Sequence, residues 1–245
     1  MTPPRPATAL LLGIAAFAVI ATFLHAPIPQ DPAYHLFADT RALAGIPNFA
    51  DVASNFIFLI AGVYGLSRRK RLAEPGGERA YTTLCAGVLL VSVGSAYYHL
   101  SPSNPTLVWD RLPMTVAFMA FFAMLLEERV LTGARPLAPL IVAGLASAVY
   151  WAWSDDLRPY LLVQFLPLML MPVILVLYPR KYLSTRPLVA ALVLYAAAKF
   201  FEVYDREVFS AAALSGHTVK HLLAGGASLC LISAVPAPLA RVSRG

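Results

Sequence analysis

The sequence predicts an all-α, polytopic membrane protein with eight transmembrane helices. Three observations carry this. Of 245 residues, 59% are hydrophobic and only 13% charged, and mean hydropathy is +0.68; a soluble domain carries about 25% charged and 45–50% apolar residues. Eight apolar stretches approach the roughly 20 residues a helix needs to cross a bilayer core of about 30 Å. The cations gather in alternate loops. This composition excludes a disordered chain, a disulfide scaffold, an ordinary soluble enzyme and a nucleic-acid binder, despite a net charge of +6 and a pI near 9.5.

The stretches run over about 7–25, 50–67, 80–99, 111–128, 136–152, 160–178, 186–203 and 217–236. Breaks between them hold the expected punctuation: the basic run Arg68-Arg69-Lys70-Arg71 with Pro75, then Pro102 and Pro105, Gly133 to Pro136, Pro159 and Pro179. The first stretch has Arg5 ahead of an apolar core, as a signal peptide does. It is long for that role, and Phe23-Leu24-His25-Ala26-Pro27 lacks a small-x-small cleavage site, so it reads as a retained helix. Cys85 and Cys230 lie inside apolar runs and read as small hydrophobes.

With the N-terminus in the cytoplasm, eight spans also put the C-terminus and the segments 68–79, 129–135 and 180–186 there. These hold Arg5, Arg68, Arg69, Lys70, Arg71, Arg79, Arg129, Arg135, Arg180, Lys181, Arg186, Arg241 and Arg244, or 13 of the 19 cations. Arg41, Arg111, Arg158 and Arg206 fall on the other side, as the positive-inside rule expects. The basic run is therefore a topology anchor.

Polar groups at helix depth are costly, so they mark function by default. The third span ends Ser95-Ala96-Tyr97-Tyr98-His99, the fourth is entered through Asp110-Arg111-Leu112-Pro113-Met114, and the eighth begins His217-Thr218-Val219-Lys220-His221. Spacing i,i+4 puts His217 and His221 on one helical face, about 6 Å apart, and relates Ser95 to His99 in the same way. The topology then brings all five residues to one depth, near the extracytoplasmic side. Three neutral imidazoles suit Zn²⁺ with a fourth position open, as in catalytic sites. Asp110 is the candidate proton acceptor, and Ser95 the group that orients water or donates to a developing oxyanion. A lone HxxxH pair reads better as hydrogen-bonded glue between helices; three motifs on three spans at one depth favour a metal.

The order Ser-x-x-x-His, Asp-x-x-Pro-Met, His-x-x-x-His resembles the alkaline ceramidases of the CREST membrane hydrolase superfamily. Relatives of that family include the adiponectin and progestin receptors and a GPI-anchor remodelling lipase. The resemblance spans about residues 35–236, with Gly45-Ile46-Pro47-Asn48-Phe49-Ala50-Asp51-Val52-Ala53-Ser54-Asn55 similar to the entry of the first core helix. It implies a seven-helix core preceded by one extra N-terminal transmembrane helix, zinc on His99, His217 and His221, Ser95 and Asp110 in catalysis, and hydrolysis of the ceramide amide to sphingoid base and fatty acid. Acidic residues before the first core helix bind calcium in eukaryotic members; only Asp39, Asn48 and Asp51 match, with different spacing, which argues against a Ca²⁺ site.

The chain thus divides into an N-terminal helix and loop (1–34), a ceramidase-like core (35–236) and a short cytoplasmic tail (237–245). The expected partner is a membrane lipid substrate within the bilayer, not nucleic acid. Two alternatives stay open: a zinc-containing seven-helix receptor of the same superfamily, and an ester-cleaving lipid remodelling enzyme. Lys199 and Glu202, three apart, are expected to pair with each other or with Asp205. Asn55 divides evenly between helix glue and a site contact. Lys220 is expected to face away from the His217/His221 stripe and snorkel. His25 and His35 take loop or interfacial roles, and Trp109, Trp151, Trp153, Tyr97 and Tyr98 an interfacial belt.

Overall fold

The structure is a computed structural model and describes residues 5–69, 77–131 and 135–235. Lys70, Arg71, Pro75, Gly133 and the 237–245 tail lie outside the described residues. Every expected apolar stretch is helical: α1 (Arg5–Leu24), α2 and α3 (Phe49–Ser54 and Phe56–Ser67), α4 (Gly77–Leu100), α5 (Asn104–Arg129), α6 (Leu137–Ser154), α7 (Arg158–Leu177), α8 (Thr185–Val203) and α10 (Gly216–Ser233). Among the described residues there is no strand, only an isolated bridge between Leu43 and Ile46.

Six of these spans are long and apolar enough on their own to cross a membrane: α1, α2 with α3, and α4 to α7. The seventh qualifies when α8 is taken with α9 (Asp205–Ala212), which leaves it at 82°. Helix α10 is as long as α6 but carries His217, Lys220 and His221 in its first turns, and it falls outside that set. Its burial comes from packing on α8 and α3.

Local chemistry sets the boundaries. Ser103 caps α5 through a capping box with Thr106, which starts that helix ahead of the apolar run. Ser215 caps α10 by accepting from Thr218 N at 2.9 Å. Helix α9 was not expected; it exists because Asp205 is committed at its first turn. One Asp205 oxygen accepts from His217 N (2.9 Å) and the other from Ala38 N (2.8 Å).

Two glycines let helices approach where the polar residues cluster. A Cβ on Gly94, next to Ser95, would stand 2.0 Å from Trp109 O, next to Asp110. A Cβ on Gly216, next to His217, would stand 2.2 Å from Phe201 O. Close backbone contact is therefore built in on both sides of the site.

A strap over residues 25–48 covers the same end of the bundle. Arg158 donates to His25 O (2.6 Å), Gln30 N donates to Asp155 (3.0 Å), and Arg111 donates to Gln30 Oε1 (2.6 Å). His35 lies 2.9 Å from both the Tyr98 hydroxyl and Asn104 Oδ1, in keeping with a loop role. At the opposite end, Glu128 accepts from the backbone N–H groups of Lys181, Tyr182 and Leu183, while Arg129 pairs with Glu128 and donates to Tyr178 O. Arg129 is thus a buried knot of the α7–α8 loop as well as a cation on that side.

The aromatic belt holds only in part. Trp109, Trp153 and Tyr97 are exposed, whereas Trp151 and Tyr98 are buried. Trp151 stacks on the Arg111 guanidinium at 3.9 Å, a use that sequence position alone does not reveal.

Candidate metal centre

Helices α4 and α10 are brought together so that the ligand atoms of His99, His217 and His221 lie within 4.8 Å of one another. The rings form a triangle with centroids 4.8, 4.9 and 4.7 Å apart. All three side chains are buried. Among the described residues this is the one group of His, Cys, Asp or Glu side chains that could hold a metal ion.

The donor set fits zinc. His99 is fully buried, and neither ring nitrogen has a hydrogen-bond partner. Leaving a buried polar atom unpaired costs about 1–3 kcal/mol, and a cation in the triangle would satisfy one of the two nitrogens. Three neutral nitrogens with no carboxylate match an open zinc site better than a calcium site, which takes six to eight oxygens.

His221 is held from behind: Ser54 Oγ lies 2.7 Å from its Nδ1. The same hydroxyl donates its proton to Asp51 O at 3.0 Å. His217 is fixed through its backbone by Asp205. Phe37, from the strap, covers the triangle, with ring centroids 4.7 Å from His99 and 4.4 Å from His217. Sequence reading assigns Ser54 and Phe37 no role, and Asp205 only that of a pairing partner for Lys199 or Glu202. A lone serine in an apolar run and a carboxylate in an unforeseen short helix carry no spacing signal.

Ser95 and Asp110 are buried and face each other across the α4–α5 contact that Gly94 permits. Both line a cavity of about 430 Å³ together with His221. Most of the remaining wall is apolar, from Phe58, Leu84, Val88, Phe118, Phe121 and Met171. The volume and lining suit a hydrocarbon chain whose polar end reaches His221.

The residues weighed for calcium do other work. Asp39 accepts two guanidinium bonds from Arg41, which hold its carboxyl below the usual carboxylate range. Asn48 donates to His99 O at 2.8 Å and so secures the end of α4. Asp51 is buried and accepts from Thr218 (2.6 Å) and Ser215 (3.1 Å), tying α2 to the start of α10.

One expectation is corrected. Lys220 does not turn away to snorkel: it lines the cavity beside His221 and pairs with Glu202 at 2.6 Å. The cavity wraps around more of α10 than the single His217/His221 stripe, so the neighbouring face is inside as well. Lys199 does pair with Glu202, while Asp205 is engaged elsewhere. Asn55 donates to Asp51 O within its own helix turn.

The sequence model of the family described as Ceramidase matches residues 42–235. The match includes Ser95, His99, Asp110, His217 and His221 and leaves out α1. Among curated proteins, none matches the chain.

Proposed function

The chain belongs to the ceramidase family, and from that premise we propose that it is a zinc-dependent intramembrane amidase that cleaves ceramide or a close relative into sphingoid base and fatty acid. The observation that carries this reading is the meeting of two side-chain sets on one lipid-sized cavity. The imidazole triangle of His99, His217 and His221, which reaches the cavity through His221, is one, and the facing pair Ser95 and Asp110 is the other.

Zinc held by the three histidines would supply Lewis acidity toward an amide carbonyl and toward water, whose pKa such sites bring to near 7. The chain's own groups move the proton. Asp110 takes a proton from water as the water oxygen adds to the amide carbon, and returns it to the amine nitrogen as the C–N bond breaks. The Ser95 hydroxyl orients the water or donates to the carbonyl oxygen as it gains charge. The apolar wall binds the acyl chain at roughly 0.8 kcal/mol per buried CH₂ and fixes the amide at the level of the histidines.

The positive-inside distribution supports both termini in the cytoplasm and the histidines toward the extracytoplasmic side. On this reading residues 1–34 are an addition to the family core, and the substrate is drawn from the outer leaflet.

The test is incubation of detergent-purified protein with ceramide and read-out of sphingoid base and fatty acid by mass spectrometry, with and without a zinc chelator. Release that stops on chelation and returns with added zinc is expected. Turnover indifferent to chelation, in protein shown to be metal-free, would remove the mechanism.

A further inference from the structure

Lys220, between the two histidines of α10, reaches the cavity from the face next to theirs. Its Nζ lies 2.6 Å from Glu202 Oε1, and Lys199 pairs with the other oxygen of the same carboxylate. Tyr34 OH, at 3.4 Å, is a neutral third donor to Glu202. Two ammonium groups therefore share one carboxylate, and all three side chains line the cavity. The next charged pair along the wall is Asp110 and Arg111, one of each sign. Arg111 is buried, stacked on Trp151 and Tyr160 and bonded to Gln30. Asp31, exposed at the rim, is spent capping the turn at Ala33.

With Asp31 the wall carries three cations, Lys199, Lys220 and Arg111, and three carboxylates, Asp31, Asp110 and Glu202, so the cationic excess is local: two ammonium groups meet on Glu202 alone. A charged side chain at bilayer depth costs about 2.5 kcal/mol or more. A structural tie between α8 and α10 needs one lysine on Glu202, not two. The surplus sits at the polar end, within a turn of the histidines, while the rest of the wall suits hydrocarbon.

We propose that the Lys220–Glu202–Lys199 cluster is a headgroup site selecting lipid amides that bear an anionic oxygen group (carboxylate, sulfonate or phosphate) on the amine side of the scissile bond over those with a neutral headgroup. This rests on the amidase reading. The anion takes the share of each ammonium that Glu202 leaves unsatisfied, and the chain carbonyl then falls between the histidines and Ser95.

The experiment compares ceramide and ceramide 1-phosphate of equal acyl chain in mixed micelles, measuring kcat/KM for each. The wild type is expected to favour the phosphorylated lipid by at least tenfold. Lys220→Met should cut that ratio at least tenfold, and Lys220→Arg, which keeps the charge, should preserve most of it. Equal rates in the wild type, or a ratio unmoved by Lys220→Met in protein that retains its zinc, would overturn the proposal. Inhibition by oleate that weakens in Lys220→Met while the substrate ratio stays fixed would assign the cluster to the product carboxylate, and also overturn it. Equilibrium binding of both lipids to the Asp110→Asn variant reads the site without turnover. Selective, Lys220-dependent binding there, alongside a wild type that cleaves neither lipid, would uphold the headgroup site and sink the amidase reading.

Discussion

Ser54 Oγ stands 2.7 Å from His221 Nδ1, and this contact decides which ring nitrogen His221 offers to a metal. The Ser54 proton is already given to Asp51 O, so toward the ring the hydroxyl oxygen accepts. His221 therefore carries its proton on Nδ1 and presents a bare Nε2. Partners of this kind behind a metal ligand are typically worth 10–100-fold in metal affinity.

Ser54→Ala is accordingly expected to weaken zinc binding by about 10–100-fold, measured by competition with a chromophoric chelator. Ser54→Thr, which restores the hydroxyl, should recover most of it. Zinc affinity equal to wild type in the alanine variant would reduce Ser54 to packing.

Asp110→Asn separates metal binding from proton transfer. The amide keeps the shape of the side chain and accepts a hydrogen bond but cannot take a proton, so kcat should fall by about 10²–10⁴. Zinc content by elemental analysis should stay at about one per chain, because the three imidazoles are intact. Near-normal turnover would make Asp110 a structural residue.

How far the sequence revealed this arrangement differs by residue. Apolar run length located every long helix, because a bilayer imposes both length and polarity on each span. The i,i+4 spacing of His217 and His221, with His99 and Asp110 brought to one depth by alternating direction, located the centre. The break at Asn55 and the sideways helix from Asp205 were not legible. Both follow from side-chain bonds to backbone groups, Asn55 to Asp51 O and Asp205 to His217 N and Ala38 N, that join segments distant in sequence or cost no apolar residue. The direction of Lys220 was misjudged because a single-stripe view of a helix assumes that one face is buried. A cavity that curves around α10 makes two faces interior.

Gly94→Ala tests whether close approach of α4 and α5 sets the active geometry. The added Cβ would meet Trp109 O at 2.0 Å, and a backbone carbonyl cannot rotate away as a side chain can. The helices must part, and overpacking of this kind costs about 1–3 kcal/mol. Ser95 and His99 move with α4 and Asp110 with α5, whereas His217 and His221 sit on α10. The expected result is a lower unfolding temperature, at least tenfold slower turnover and weaker zinc binding. An unchanged melting temperature would show that the contact yields freely.

The side of the membrane on which the histidines sit is open to direct measurement. Ser101, in the short turn between α4 and α5, and Arg180, between α7 and α8, are both exposed and stand at opposite ends of the bundle. Single cysteines there, in a background with Cys85 and Cys230 replaced by alanine, report sidedness in intact cells through a membrane-impermeant thiol reagent. Ser101→Cys avoids the α5 cap, which Ser103 provides and whose loss would cost about 1 kcal/mol. Labelling at 101 without permeabilisation, and at 180 only after it, is expected from the charge distribution. The opposite pattern would invert the chain and put His99, His217 and the strap on the cytoplasmic face. The lipid supply would then be the inner leaflet. An acidic headgroup drawn to Lys220 would come from the leaflet that already concentrates anionic lipids.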